Sequence, residues 1–324
     1  MDNMEYLILG VIFYIISKYI FKKCKQCKKY VLARKINKNG LCQLCEQDRI
    51  EKENKKIEEA KRAEQERQQR LEKQRIEREN RINEFKQILS SLKPARIDLA
   101  TEKVKADSER EPFEIKYSNI TSKTNTQNIK DFIVIDTETT GLNCRIHKII
   151  EITAIKFIDF IPVEIFTTRI NPKKPIPPEA TAVNNIRDED VKDAPYFWQI
   201  IPSLNEFIGK LPIVGHNLPF DMKFLLHEGL SLNLIKRKYF DTLSLAQSCL
   251  KTPKRKWDRE LESYKIDYFS DYDVENYKLT TLCEYFKIGI DNAHSSASDC
   301  LATGYLFKHL IYCKGAAIES EVLV

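Results

Sequence analysis

Phe132 to Ile135 form an uninterrupted apolar run that ends at Asp136, and no other segment constrains the fold of this chain so tightly. A short, β-branched run bounded by turn chemistry predicts a buried central strand with Asp136 at its tip. Side chains two residues apart on an extended chain return to one face, so Asp136 and Glu138 point the same way. Two carboxylates on one face repel each other unless a cation lies between them. Hard, oxygen-only ligands favour Mg²⁺ or Mn²⁺ over zinc. Taken alone, the block also fits an ordinary Asp-rich turn.

Two further blocks lie downstream. Leu211 to Val214 predict a short strand and Gly215 to Asn217 a turn. Pro219 suits a first helical turn, because its missing N–H would be an orphan donor there anyway. Phe220, Phe224 and Leu225 then share a helical face, with Asp221 in the first turn, where an acid also suits the positive helix end. In the third block Leu301, Tyr305, Leu306 and Leu310 keep helical spacing, which places Asp299 in an early turn and His294 just before the helix. A lone histidine there is more often a cap or surface residue than a catalyst.

In this order, DTETTG, HN-x2-FD and H-x4-D resemble the three motifs of the DEDDh 3′-to-5′ exonucleases, the superfamily of DnaQ-like proofreading subunits, RNase T and oligoribonuclease. The similarity extends to IIEITAIKF, INPKKPIPPEAT, DEDV-x2-AP and Asp241-Thr242, and covers roughly residues 131 to 312. The resemblance implies a ribonuclease-H-like α/β fold, a mixed sheet flanked by helices. It implies that Asp136, Glu138, Asp221 and Asp299 hold two Mg²⁺ or Mn²⁺ ions, with His294 as general base. The expected reaction is hydrolysis of terminal phosphodiesters at nucleic-acid 3′ ends, DNA rather than RNA, releasing nucleoside 5′-monophosphates. Thr139, Leu142 and Phe220 would contact the terminal nucleotide, although plain core packing is the alternative for Leu142 and Phe220.

The chain departs from the family where Asn184-Asn185-Ile186-Arg187 replaces a His-Gly-Ile-Thr-like stretch and where Leu218 and Pro219 follow His216-Asn217. Ser296 takes the small position after His294. These departures remove no ligand and bear on substrate preference. Two rival readings stay open: an exoribonuclease of the RNase T type, and a noncatalytic adapter that only binds nucleic-acid ends.

Residues 1–130 carry 30 Lys and Arg against 20 Asp and Glu, whereas residues 131–324 carry 23 against 27, so the net charge of +6 conceals a basic front and an acidic remainder. Within the front, Tyr6 to Phe21 is the most apolar stretch. Sixteen helical residues rise about 24 Å, short of the roughly 30 Å hydrocarbon core, so the span needs snorkelling by Lys18 and Lys22. Residues 1–23 are therefore expected to form a membrane helix, with a buried or interfacial helix as the alternative. The lysines that follow place the catalytic part in the cytoplasm.

Cys24-x2-Cys27 and Cys42-x2-Cys45 have the spacing of a tetrahedral zinc site and resemble a zinc ribbon over residues 24–45. Disulfides or palmitoylation are the alternatives. The basic stretch around these cysteines suits either anionic lipid or nucleic acid. Cys144, Cys249, Cys283, Cys300 and Cys313 are expected as reduced packing residues.

Residues 46–92 predict a long charged helix, with pairs such as Glu58 and Arg62 or Glu77 and Arg81 spaced four apart. Ile82, Phe85, Leu89 and Leu92 give a brief heptad seam and hence a weak homodimer. Residues 93–130 are expected to be a linker, 131–315 the catalytic domain and 316–324 a tail. Lys251 to Tyr277 is a candidate lid or specificity loop. Its basic residues beside Trp257 suit nucleic acid, although a solvated loop with one buried tryptophan is the preferred account.

Overall fold

The computed structural model describes residues 10, 12–14, 19, 21–103, 115–232, 237–258, 262–267, 269–290 and 295–314. The chain divides into two units, Met1–Glu77 and Arg78–Val324.

In the first unit, β1 (Phe21–Lys23) pairs antiparallel with β2 (Tyr30–Leu32), and α1 (Gln43–Ser91) begins directly after Cys42. The helix expected over residues 1–23 therefore does not extend to Lys23, because Phe21 to Lys23 are extended and paired with Leu32 to Tyr30. Most of residues 6–21 lie outside the described residues. Among the described residues no helix is long and apolar enough to cross a membrane.

The long charged helix runs over Gln43–Ser91, and its ion pairs are shifted from the expected ones. Arg62 meets Glu66 at 3.1 Å rather than Glu58, and Glu77 meets Lys73 at 4.0 Å rather than Arg81. Each such exposed pair contributes only about 0.3–0.5 kcal/mol, so several pairings are nearly equivalent.

The second unit begins within α1. Phe85 and Leu92 are buried there, with Ile88 and Leu89 packed against the same core. The seam expected to join two copies is thus covered by this chain's own fold, which leaves the homodimer without its proposed contact.

The remaining elements follow as β3 (Lys93–Pro94), β4 (Phe132–Thr139), β5 (Ile149–Ile158), β6 (Ile161–Arg169), α2 (Pro178–Asn184), α3 (Asp188–Val191), α4 (Phe197–Ile208), β7 (Ile213–Gly215), α5 (Leu218–His227), β8 (Tyr239–Asp241), α6 (Thr242–Cys249), β9 (Lys254–Asp258), β10 (Ser263–Asp267), α7 (Leu279–Tyr285) and α8 (Ser296–Cys313). Six strands form one mixed sheet in the order β3-β6-β5-β4-β7-β8. Strand β5 is antiparallel to both β4 and β6, while β3 joins β6, β7 joins β4 and β8 joins β7 in parallel.

The expected 93–130 linker is not a free tether where it is described. Lys93–Pro94 adds a parallel edge strand to β6, Ala95 N–H donates to Ile165 O at 2.7 Å, and Asp98 N–H donates to Ser203 Oγ at 2.9 Å. Ile120 and Ile129 are buried. Polar composition had hidden the backbone pairing that holds this stretch in place.

The alternation of β4 sorts the core into two layers. Phe132 and Val134 join Ile155 and Phe157 of β5 against Leu301, Leu306, Phe307 and Leu310 of α8. Ile133 and Ile135 face the other way, into the layer of Ile200 and Leu204 from α4 and Met222 and Leu225 from α5. Phe132 stacks on Phe157 at 4.8 Å and meets the edge of Phe307 at 5.1 Å. A side chain at Gly304 would place its Cβ 2.1 Å from the Phe157 ring, so only glycine lets α8 approach this closely.

Candidate functional site

The two-residue period of β4 carries through from the core to the strand's end. Asp136 and Glu138 continue the face of Phe132 and Val134, which is the face covered by α8. Asp299 sits in the first turn of α8, and its carboxylate meets them: one oxygen from each of Asp136, Glu138 and Asp299 lies within 4.8 Å of the others.

Asp221 reaches this region from the opposite layer. It lies buried in the first turn of α5, and its Oδ1 accepts from Thr137 N–H at 3.0 Å and Thr137 Oγ1 at 2.7 Å. Thr137 points to the α5 layer because it lies between the two acids on β4. The bond therefore anchors Asp221 beside the cluster, whereas the three-carboxylate group itself excludes it.

A further acid escaped the sequence reading. Glu151 is the cross-strand partner of Glu138. Its Oε2 lies 2.9 Å from Arg169 Nη1 of β6, and the hydroxyl of Ser296, the first residue of α8, donates to its Oε1. Ser296 Oγ also lies 2.7 Å from Thr153 Oγ1. The signal was a lone charged residue inside the apolar run IIEITAI. This network pins the start of the helix that carries Asp299.

Crowding of acids shows in their proton affinities. Burial, followed by the charges of Asp221, Asp299 and Glu138, holds the Asp136 carboxyl well above the usual range. Burial and then Glu151 push Glu138 up to about 8. Burial raises Asp221 to about 7, against the lowering effect of its Thr137 bonds. Arg169, which lowers Glu138, is already paired with Glu151. An all-oxygen set of mutually repelling carboxylates fits a divalent cation, which would restore the ionised forms.

Leu142 is 85% exposed, which sets core packing aside for that residue. It lines a cleft of about 350 Å³ together with Asn217, Pro219, Phe220, Lys223 and Phe224. Phe220 is half-buried against Phe224, with ring centroids 5.1 Å apart. The Thr139 hydroxyl donates to Gly141 O at 2.8 Å, within the turn that leads to this cleft. His294 lies outside the described residues. His216 is tied down on both ring nitrogens, to Thr242 Oγ1 at 2.9 Å and Tyr277 O at 3.0 Å, and burial lowers its proton affinity. Asp241 caps α6 and also accepts from Leu218 N–H, fastening the starts of two helices to one carboxylate.

Within the 251–277 segment, β9 and β10 pair antiparallel, from Lys254 opposite Asp267 to Asp258 opposite Ser263. Trp257 and Tyr264 are directly paired across β9 and β10 with ring centroids 5.0 Å apart, and they are 50% and 66% exposed. The buried tryptophan expected here is therefore an exposed one, because a two-stranded ribbon has no second layer to cover it.

In the first unit the four sulfur atoms of Cys24, Cys27, Cys42 and Cys45 lie within 4.8 Å of one another. Cys42 N–H donates to Cys24 Sγ at 3.3 Å, and the nine cysteines of the chain are free thiols. Backbone donors, Cys42 first, lower Cys24 to about 6, while burial pushes Cys45 up to about 12. Of the remaining five, Cys283 and Cys300 are buried packing residues as expected, whereas Cys313 is exposed.

The family model for exonucleases of the RNase T type matches residues 133–307, more than half of the chain. The chain belongs to the DEDDh, DnaQ-like exonuclease family. Its exonuclease domain is 38% identical over 146 residues to the DNA polymerase III subunit epsilon of Rickettsia conorii, covering 42% of this chain and 62% of that protein. It is 32% identical over 178 residues to the PolC-type DNA polymerase III of Caldanaerobacter subterraneus subsp. tengcongensis, covering 55% of this chain and 11% of that protein. The chain thus spans less than two-thirds of these relatives. Among solved structures, exonuclease X in complex with 5′ overhanging duplex DNA aligns at 24% identity and a TM-score of 0.42, covering 58% of this chain and 95% of that one.

Proposed function

We propose that this chain is a metal-dependent 3′-to-5′ exonuclease that removes nucleotides from single-stranded or frayed DNA ends as nucleoside 5′-monophosphates. One observation carries the reading: strand β4 and helix α8 deliver Asp136, Glu138 and Asp299 to a common centre. With Asp221 beside them, these residues would hold two Mg²⁺ or Mn²⁺ ions. Such ions, when bound, neutralise the scissile phosphate and acidify the attacking water.

His294, two residues before the anchored Ser296, takes the proton from that water, a role suited to a histidine near its ordinary pKa of about 6.5. Attack at phosphorus breaks the bond to the 3′ oxygen of the preceding nucleotide, which takes up a proton and stays on the shortened strand as a 3′ hydroxyl, so the phosphate leaves on the released nucleotide's 5′ oxygen. Leu142 and Phe220 offer the terminal base an apolar wall, and Lys223 in the same cleft offers its phosphate a cation. Trp257 and Tyr264 supply a stacking surface for unpaired bases. The names of the related DNA polymerase III proteins favour DNA over RNA. One Zn²⁺ in the Cys24, Cys27, Cys42 and Cys45 cluster fits its four converging sulfurs.

Matched 5′-labelled DNA and RNA strands, incubated with Mg²⁺ or Mn²⁺, test this directly. The expected result is a ladder shortening one nucleotide at a time, faster on DNA, and absent with Asp299→Ala. A ladder from 3′-labelled strands that shortens from the other end, or undiminished activity in Asp299→Ala, would overturn the reading.

A further inference from the structure

Eight Lys and Arg residues lie between Lys22 and Lys38, and no acid falls among them. All eight are exposed. None forms an ion pair with an acidic side chain among the described residues, whereas along α1 Arg49 meets Glu46 and Glu53, and Lys52 meets Asp48. So dense a set of like charges costs self-repulsion unless a polyanion neutralises it.

Their distribution is informative. On the β1–β2 hairpin Lys22 is paired with Val31 and Lys23 with Tyr30, so cations project from both faces of the ribbon. Others stand in the turn between the strands and in the single 3-10 turn that contains Arg34 and Lys35. The buried cluster of Cys24, Cys42 and Cys45 provides the common base. Tyr30 is 70% exposed, with Lys23 Nζ 5.7 Å from its ring centroid. A flat charged surface engages one side of such a module. A flexible strand of phosphates with unpaired bases can follow cations around it and stack on the tyrosine.

We infer that the Cys-cluster module is a second nucleic-acid site, which binds the phosphate backbone of single strands through its lysines and a base through Tyr30. This deepens the exonuclease reading: a second grip on the same chain raises the effective concentration of a released end and favours repeated removal without dissociation.

The test measures binding of a fluorescent 30-nucleotide single strand by the full chain, purified with zinc and carrying Asp136→Asn to prevent digestion. Lys23→Glu with Lys29→Glu is expected to weaken binding about 10- to 100-fold at low salt and to reduce the slope of log affinity against log salt by about 1.4. Tyr30→Ala is expected to weaken it about fivefold or more. Zinc content identical to the parent shows that the variants retain the module. Lys29→Gln serves if the double reversal loses zinc.

Unchanged affinity and salt slope would overturn the inference. So would binding to phosphatidylserine vesicles that the reversal abolishes while strand binding persists, since lipid would then be the partner. Because this assay needs no cleavage, it stands or falls apart from the proposed activity. In active protein the same reversal is expected to raise KM on long strands and leave kcat on trinucleotides unchanged.

Discussion

The carboxylate cluster and the cysteine cluster both gather groups that attract a cation, yet the fold supports them in opposite ways. Asp136, Glu138 and Asp299 stand on a six-stranded sheet with apolar layers on both faces. The cysteines stand on a hairpin of three-residue strands and the start of a helix, where the buried apolar set is Cys24, Cys42 and Cys45 themselves, backed by half-buried Val31, Ile36 and Leu41. A sheet of that size can hold like charges together against their repulsion. A module that small cannot order its chain without an added tie. On the proposed reading the cation would be a guest in one cluster and a structural member in the other.

The largest expected effect separates the two directly. Asp136→Asn should lower exonuclease activity by about a thousandfold or more while raising the metal-free melting temperature by about 2–4 °C, since it removes a buried like charge. Cys24→Ser should do the reverse: hydrogen exchange across Phe21–Leu32 becomes fast as the hairpin unfolds, while activity on short oligonucleotides survives. A Cys24→Ser protein with a protected hairpin would show that the module needs no metal, and a destabilised Asp136→Asn would show that the acids are not in conflict.

A smaller effect probes how the two layers of the exonuclease domain cooperate. Thr137 is the one β4 residue between the two acids, and it holds Asp221 from the other face of the sheet. Thr137→Val keeps the shape and the backbone donor but removes the hydroxyl. Activity is expected to fall about 10- to 100-fold, as when a residue that orients a metal ligand is lost. Thr137→Ser should recover most of it. Equal loss in both variants would point to packing rather than to the hydroxyl.

The sequence made the strand end legible because one local rule, the two-residue period, determines both the core face and the carboxylate face of β4. Asp299 was equally visible from the helical spacing of Leu301, Tyr305 and Leu310. What stayed hidden depends on distant partners. The Thr137–Asp221 bond joins residues 84 apart, and the Ser296–Glu151 bond residues 145 apart. Lys93 and Pro94 read as linker because their ladder partner is Glu164–Ile165, far along the chain. Phe85 and Leu92 read as a dimer seam because periodicity reports an apolar stripe and not what covers it. Trp257 was misplaced for the converse reason: nothing local says that a ribbon lacks a second layer.

The subtlest expected effect is the pH dependence of cation binding at the carboxylates. Glu138 has its proton affinity raised from the ordinary 4.5 to about 8, chiefly by burial and the Glu151 charge. A carboxyl whose folded pKa is raised favours the folded metal-free protein fully below about 4.5, and that contribution is lost as pH rises through about 8. A cation must displace the proton at low pH and meets a ready carboxylate at high pH. Stabilisation by Mn²⁺, read as the rise in melting temperature at fixed metal concentration, should therefore grow from pH 6 to pH 8.5, with the metal-free protein losing stability over the same interval. Glu138→Gln should flatten the metal-dependent rise, because its side chain carries no titrating proton. The cysteine module supplies the internal contrast. If its protection from exchange tracked the same Mn²⁺ and pH series as the carboxylate site, the two clusters would not be independent, and the distinction between guest and structural cation would fail.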